Sequence, residues 1–367
     1  MNEGIARRKQ DHIDVVRERD VRSAVSAGWE RYGFVHNALP ELDLDEISLE
    51  TVLFGKRLNA PLLISSMTGG TAETAILNRR MAAVAQRLGL AMGVGSQRIA
   101  IEERRNSHFD NQHFQVRDIA PDVLLFANLG AVQLNYGVTA RDCRWLVEST
   151  GADALILHLN PLQEALQEGG DTRFAGIEGR IAALCEALPV PVVVKEVGWG
   201  ISAGVAKRLL AAGVAAIDIA GAGGTSWSEV ERQRATNPLL HDVAGAFAGW
   251  GIPTAEALRE VRAACPEACI IASGGIRDGI DVAKAIALGA SLCGIAAPVV
   301  QAAARSEEQA EFALRVVIEQ LRVAMFAVGV PGIEQLRTRP GLLHVVSAPV
   351  LAPSLQSADE DPPAYDQ

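Results

Sequence analysis

Aromatic side chains are scarce in this chain: they make up 5% of its 367 residues, although 49% of them are hydrophobic. Its core must be aliphatic, and abundant alanine with 34 glycines lets helices lie close against strands, as in α/β proteins. A surplus of positive charge is also missing. The net charge of −10 argues against non-specific binding to nucleic acid or an anionic membrane, so an anionic ligand needs a local cluster of cations. The five cysteines (143, 185, 265, 269, 293) are scattered and odd in number. Only Cys265 and Cys269 are close, and no second pair or histidine follows at zinc-site spacing, so buried thiols in a reducing cytoplasm are expected. No cleavable leader is expected, because the first residues are charged (Arg7, Arg8, Lys9) and carry no apolar run. One stretch without charge, 285–304, is long enough to span a bilayer, but Gly289, Ser291, Gly294, Pro298 and Gln301 interrupt it. A helix end, a buried strand and the next helix account for it better.

Short β-rich runs recur at 61–69, 91–96, 123–130, 154–160, 191–198, 215–224, 269–276 and 292–298. Most lack alternation, as expected of parallel strands covered on both faces, and stretches with helical periodicity such as 203–212 and 281–288 separate them. Eight strand–helix units imply an α/β fold of the (β/α)₈ TIM-barrel type spanning 61–346, with a doubly wound open sheet as the competitor. Residues 1–60 read as a helix from 5 to about 26, a loop and a short meander capping the barrel. The acidic, proline-containing tail 347–367 is expected to be disordered.

The fourth run leads straight into His158-Leu159-Asn160-Pro161-Leu162-Gln163-Glu164. A histidine, two amides and a carboxylate leave one strand end together, around a proline that stops the pairing. Burying four such groups unpartnered would cost several kcal/mol, on the order of 2 kcal/mol each. Packing does not explain them, and strand-end loops are where barrel enzymes keep their chemistry.

Other strand ends point to a phosphate and a flat ligand. Ala272-Ser273-Gly274-Gly275-Ile276-Arg277-Asp278-Gly279 follows strand seven and opens a helix at about Ile280, so backbone N–H groups and a helix dipole can face an anion. Ala220-Gly221-Ala222-Gly223-Gly224-Thr225-Ser226 follows strand six. Together with residues 281–290 this is reminiscent of FMN-binding barrels. Met67-Thr68-Gly69-Gly70, Gly93-Val94-Gly95-Ser96-Gln97-Arg98 and Asn128 end strands one to three, and suit a flavin better than a bare sugar phosphate. Lys195 lies within strand five, where a lysine is costly unless it faces an anion. Reduced flavin carries negative charge near N1, which a lysine would stabilise; a salt bridge to Glu196 or Asp218 is the other reading.

Two flavin-barrel or related classes can be tested by missing residues. The 2-hydroxy-acid oxidases need a histidine base followed by glycines after strand six, and 218–227 contains no histidine. Inosine-monophosphate dehydrogenases need a cysteine in that loop, and 218–230 has none. Over roughly residues 5–340 the chain instead resembles the type 2, FMN-dependent isopentenyl-diphosphate isomerases. The resemblance rests on Arg8-Lys9 with His12, Met67-Thr68-Gly69-Gly70, Gly95-Ser96-Gln97-Arg98, the 158–164 stretch, Val194-Lys195-Glu196-Val197-Gly198, Gly223-Gly224-Thr225-Ser226-Trp227 and Ser273-Gly274-Gly275-Ile276-Arg277.

The resemblance implies interconversion of isopentenyl diphosphate and dimethylallyl diphosphate with reduced FMN and Mg²⁺, NADPH priming the flavin. It implies that Arg8, Lys9, His12, Arg98, His158 and Asn160 hold the diphosphate, that Glu164 is the metal ligand, and that Gln163 and Lys195 act at the reacting centre. It places the flavin against Met67, Thr68, Gly69, Ser96, Asn128, Lys195, Thr225, Gly275, Arg277, Ala296 and Ala297. An unactivated alkene is a weak base, and Gln163 is no acid, so the reduced flavin is expected to supply the acid–base function while Gln163 positions substrate or relays a proton. The resemblance also implies a cytoplasmic homo-oligomer, a tetramer or octamer. The stretch 228–247, with Glu229, Glu231, Arg232 and Arg234, reads equally as a lid or as a solvated loop. An FMN-dependent dehydrogenase or oxidase of a small anionic substrate is the alternative.

Overall fold

The computed structural model describes residues 11–346 apart from 13, 17, 68 and 107–110. Eight parallel strands close into a barrel. They are β1 (Leu62–Ile64), β2 (Ala91–Gly93), β3 (Leu125–Gly130), β4 (Ala154–Leu159), β5 (Val192–Glu196), β6 (Ala216–Asp218), β7 (Ile270–Ser273) and β8 (Leu292–Ile295). Each pairs with its sequence neighbour, and β8 closes on β1 through Cys293↔Leu62 and Ile295↔Ile64. The eight runs in the sequence are these strands, and the open sheet is excluded. Residues 285–304 resolve into the end of helix Gly279–Ala287, β8 and helix Ala297–Arg305, and no described helix is long and apolar enough to cross a membrane.

The two-residue period of a strand decides what fills the barrel. Leu63, Ala91, Phe126, Ala154, Ile156, Val193, Ala216, Ile271 and Leu292 form one interior cluster, while Leu62, Ile64, Leu155, Leu157, Val192 and Val194 belong to the larger cluster shared with the surrounding helices. The antiparallel hairpin Thr51–Leu53 with Lys56–Leu58 inserts Leu53 and Leu58 into the interior cluster and stacks Phe54 edge-on against Phe126, plugging the N-terminal end. Two residues further along each strand, the inward positions turn polar or small: Ser65, Gly93, Asn128, His158, Lys195, Asp218, Ser273 and Gly294. Ser65, Asn128, His158, Lys195, Ser273 and Gly294 of that layer line the floor of the site, with Gly93 and Asp218 beneath it.

The N-terminal helix is shorter than its periodicity suggests. Described residues are helical only as far as Glu18. Beyond it the backbone pairs with the glycine-rich strand-six loop: Ser226 N donates to Val21 O and Ser23 N to Gly224 O, both at 2.8 Å. These loop bonds compete with helical ones and win. Tyr32–Phe34 then pairs antiparallel with Leu343–Val345.

Candidate active site

A cavity of about 1080 Å³ opens at the C-terminal ends of the strands. It gathers His12, Met67, Gly69, Ser96, Arg98, Asn128, His158, Asn160, Gln163, Glu164, Lys195, Thr225, Gly275, Arg277, Ala296 and Ala297 into one wall system. Arg8, Lys9 and Thr68 lie outside the described residues.

On the floor, Lys195 Nζ lies 3.4 Å from Asp218 Oδ2 and 3.5 Å from Ser273 Oγ, and Ser273 Oγ donates a 2.6 Å bond to Asp218 Oδ1. The salt bridge to Asp218 therefore forms. Glu196 does something else: one carboxylate oxygen accepts from the N–H groups of Val197, Gly198 and Trp199 at 2.6–2.7 Å, folding the loop after β5. Burial pushes its carboxyl up to about 7, against those N–H groups and Lys195, which pull it down. A carboxyl so raised keeps its proton in the fold and releases it on unfolding between 4.5 and about 7. Stability should fall as pH rises through that window. Melting at about pH 5 and about pH 8 should show a smaller drop for Glu196→Gln than for the native chain.

The walls beside β6 and β7 are backbone. Gly274 and Gly275 have φ of 96° and 71°, and a Cβ on Gly274 would meet Gly221 O at 2.2 Å. A Cβ on Gly224 would meet Gly275 N at 2.7 Å, so the two glycine loops pack main chain to main chain. Gly274→Ala should lower stability by about 3 kcal/mol and abolish uptake of the FMN that the sequence resemblance implies, measured by thermal melting and flavin titration. The helix after this loop is not free to bind an anion as its position in sequence suggests. Asp278 accepts from Ile280 N and Asp281 N, and Gln320 accepts from Gly279 N. The neighbouring helix Ala297–Arg305 has no side-chain cap, and Ala296, Ala297 and Pro298 at its start line the cavity.

The stretch after β4 is a helix rather than a loop. Pro161 occupies the first turn of Pro161–Leu166, where its missing N–H costs nothing, and Glu164 N donates to Asn160 O at 3.0 Å. Asn160, Gln163 and Glu164 are all buried. Asn160 Nδ2 donates to Glu164 Oε1 at 2.9 Å and lies 3.2 Å from Gln163 Oε1. Glu164 Oε2 accepts from Asp171 N at 2.7 Å and Gln167 Nε2 at 3.2 Å. Gln163 Nε2 donates to Glu231 Oε1 at 3.0 Å, and His12 Nε2 sits 2.9 Å from the same oxygen. Arg234 Nη1 donates to Glu231 Oε2 at 2.6 Å. Burial pushes the Glu231 carboxyl up, but the His12 bond, the Arg234 charge and Gln163 outweigh it, holding it below its ordinary value. On the other side of the cavity, His158 Nδ1 is 2.8 Å from Asn128 Oδ1.

Glu231 is the residue that the sequence did not single out. The stretch 228–247 is two helices, Trp227–Arg234 and Pro238–Gly245, with Ser228, Val230 and Glu231 buried. The stretch is thus helical rather than a loop, with the first helix partly buried and the second largely exposed. The i, i+3 and i, i+4 spacing of Ser228 and Trp227 from Glu231 was the available signal. The cations also differ from expectation. Arg98 pairs with Asp171 and with Glu102 (2.8 Å), His12 with Glu231, Arg277 with Asp281, Arg232 with Glu229 and Arg22 with Asp20. Among the described residues lining the cavity, His12, Arg22, Arg98, Lys195, Arg232 and Arg277 each face a carboxylate.

The cavity fits a flavin and its phosphate: Lys195 holds only long contacts, the buried Ser65 Oγ and Ser66 Oγ on its lining have no partner, and the glycine loops admit no Cβ. Comparison with known proteins agrees. The FMN-dependent dehydrogenase family matches residues 172–341. Isopentenyl-diphosphate delta-isomerase from Synechococcus sp. is 54% identical over 341 residues, covering 93% of this chain and 97% of the relative. Its counterpart from Nostoc sp. is 51% identical over 331 residues, covering 90% and 93%. The chain belongs to the isopentenyl-diphosphate delta-isomerase family. Solved structures extend the likeness in fold alone: a mandelate oxidase variant with an FMN adduct (TM-score 0.60, 20% identity, 94% of this chain and 99% of that one) and an (S)-mandelate dehydrogenase (0.63, 17%, 94% and 99%). Within this isomerase family fold, 218–227 carries no histidine where the hydroxy-acid oxidases need their base.

Proposed function

We propose that the protein interconverts isopentenyl diphosphate and dimethylallyl diphosphate, using reduced FMN and Mg²⁺, with NADPH as the source of reducing equivalents. The observation that carries this reading is the buried Asn160–Gln163–Glu164 cluster on the cavity wall. Neither oxidation of a hydroxy acid nor simple flavin binding needs such a cluster. When bound, the flavin supplies a ring nitrogen that can give and take a proton, the strong acid that an alkene requires.

The chain's own residues do the rest. Gln163 is fixed at both ends of its amide, by Glu231 at Nε2 and Asn160 at Oε1, so it orients the carbon skeleton rather than acting as an acid. Glu164 offers a carboxylate to Mg²⁺, which prefers one or two carboxylates with phosphate oxygens and water. Asn160 Oδ1, buried and unpartnered, faces the same region. His158, Asn160, His12, Arg98, Arg8 and Lys9 are assigned to the diphosphate, with Mg²⁺ and the 8–9 pair supplying the charge that the paired cations do not. Met67, Thr68, Gly69, Ser96, Asn128, Lys195, Thr225, Gly275, Arg277, Ala296 and Ala297 are assigned to the flavin. We further infer a cytoplasmic homo-oligomer, a tetramer or octamer. Anaerobic flavin absorbance tests the reading against the oxidoreductase one: small 2-hydroxy acids should leave oxidised FMN unbleached, and isopentenyl diphosphate should leave reduced FMN reduced after many turnovers. Bleaching by a hydroxy acid would favour the oxidoreductase.

A further inference from the structure

We propose that Asp218 is a positioning residue that sets the redox poise of the bound flavin through Lys195; this rests on the flavin reading above. Asp218 ends β6 with no exposed surface, and it does not line the cavity. Lys195 and Ser273 do, so an ammonium and a hydroxyl stand between the carboxylate and a bound ring. Asp218 Oδ1 takes the 2.6 Å bond from Ser273 Oγ, while Oδ2 has no hydrogen bond and lies 3.4 Å from Lys195 Nζ. An ammonium has three donors, and contacts of 3.4 and 3.5 Å leave Lys195 able to aim them at an acceptor in the cavity.

The consequence is electrostatic. A full positive charge beside the ring would favour the reduced flavin strongly, because that form is negative near N1. A carboxylate directly behind the ammonium opposes part of that field, and low solvent access keeps both effects strong. The floor thus offers the ring a fraction of a charge, which keeps the reduced ring able to carry the proton that isomerisation needs. Ser273 spreads the carboxylate's charge by donating to it. Without that hydroxyl, Asp218 draws more on Lys195.

Spectroelectrochemical titration of FMN bound to the full-length native protein and to D218N, K195M and S273A tests this. Asparagine keeps an acceptor for Ser273 while losing the charge. D218N should raise the midpoint potential by at least a tenfold change in the ratio of reduced to oxidised affinity, about 30 mV for the two-electron couple. K195M and S273A should lower it. A purely structural role for Asp218 would weaken both flavin forms alike and leave the ratio in place. A D218N potential equal to the native one, or moved in the K195M direction, overturns the proposal. Should D218N fail to fold, S273A decides: an unchanged or raised potential there overturns it equally. Native protein that takes up no FMN would overturn the flavin reading and the proposal with it, whereas FMN uptake with unmoved potentials sinks the proposal alone.

Discussion

Glu164→Gln should keep FMN binding and, on the Mg²⁺ reading proposed above, lose about a thousandfold in turnover. Metal-assisted stabilisation of a diphosphate is worth several kcal/mol, and each ~1.4 kcal/mol is tenfold in rate. The carboxylate accepts from Asn160, Gln167 and Asp171 N, and it lines the cavity, where it is the ligand proposed for Mg²⁺. Glutamine has one acceptor oxygen for those three donors, so a stability loss of about 1–3 kcal/mol should accompany the kinetic one. Titrating activity against Mg²⁺ separates the two effects: the variant should need far more metal, or cease to respond to it. Unchanged metal dependence would remove Glu164 as the ligand.

The second large effect belongs to Glu231→Gln. Glu231 Oε1 serves both Gln163 and His12, and Oε2 serves Arg234. A glutamine must turn its amide nitrogen on one of these sets, leaving buried donors facing a donor. Turnover should fall about a hundredfold because Gln163 loses its orientation, and stability by about 3 kcal/mol because a buried ion pair is broken. The fall should appear in kcat more than in flavin affinity. Because the carboxyl is held below its usual 4.5, its contribution is fully present above that value and is lost as pH falls through the lowered one. The variant's acid melting curve should lack that limb. Wild-type kcat in Glu231→Gln would make the Gln163–Glu231 bond incidental.

The barrel was legible because strands covered on both faces have to be apolar without alternation, and runs such as 154–157 and 192–194 contain little else. Their outer ends were less legible. At Lys195, Asp218 and Ser273 the inward position turns polar, and strand, loop and site merge in a linear reading. The 158–164 cluster was legible by its cost of burial. Its helical form was not, because a proline reads as a stop whether it ends a strand or starts a helix. Glu231 was hidden among Glu229, Arg232 and Arg234, where a charged helix face and a charged loop look alike; only packing against His12 and Gln163 distinguishes it. The pairing of Arg98 with Asp171 could not be read either, since only the side-by-side packing of the segments after β2 and β4 joins the partners.

One assay bears most directly on the claim that this chain isomerises an allylic diphosphate precursor without net redox change. Purified protein is incubated anaerobically with isopentenyl diphosphate, FMN, Mg²⁺ and NADPH, and the products are identified. The account predicts dimethylallyl diphosphate, formed only when flavin, metal and reductant are all present, in amounts far exceeding the flavin. Folded, FMN-loaded protein that forms none would contradict it, leaving the barrel and its flavin cavity standing and moving an oxidoreductase of a small anionic substrate to the front.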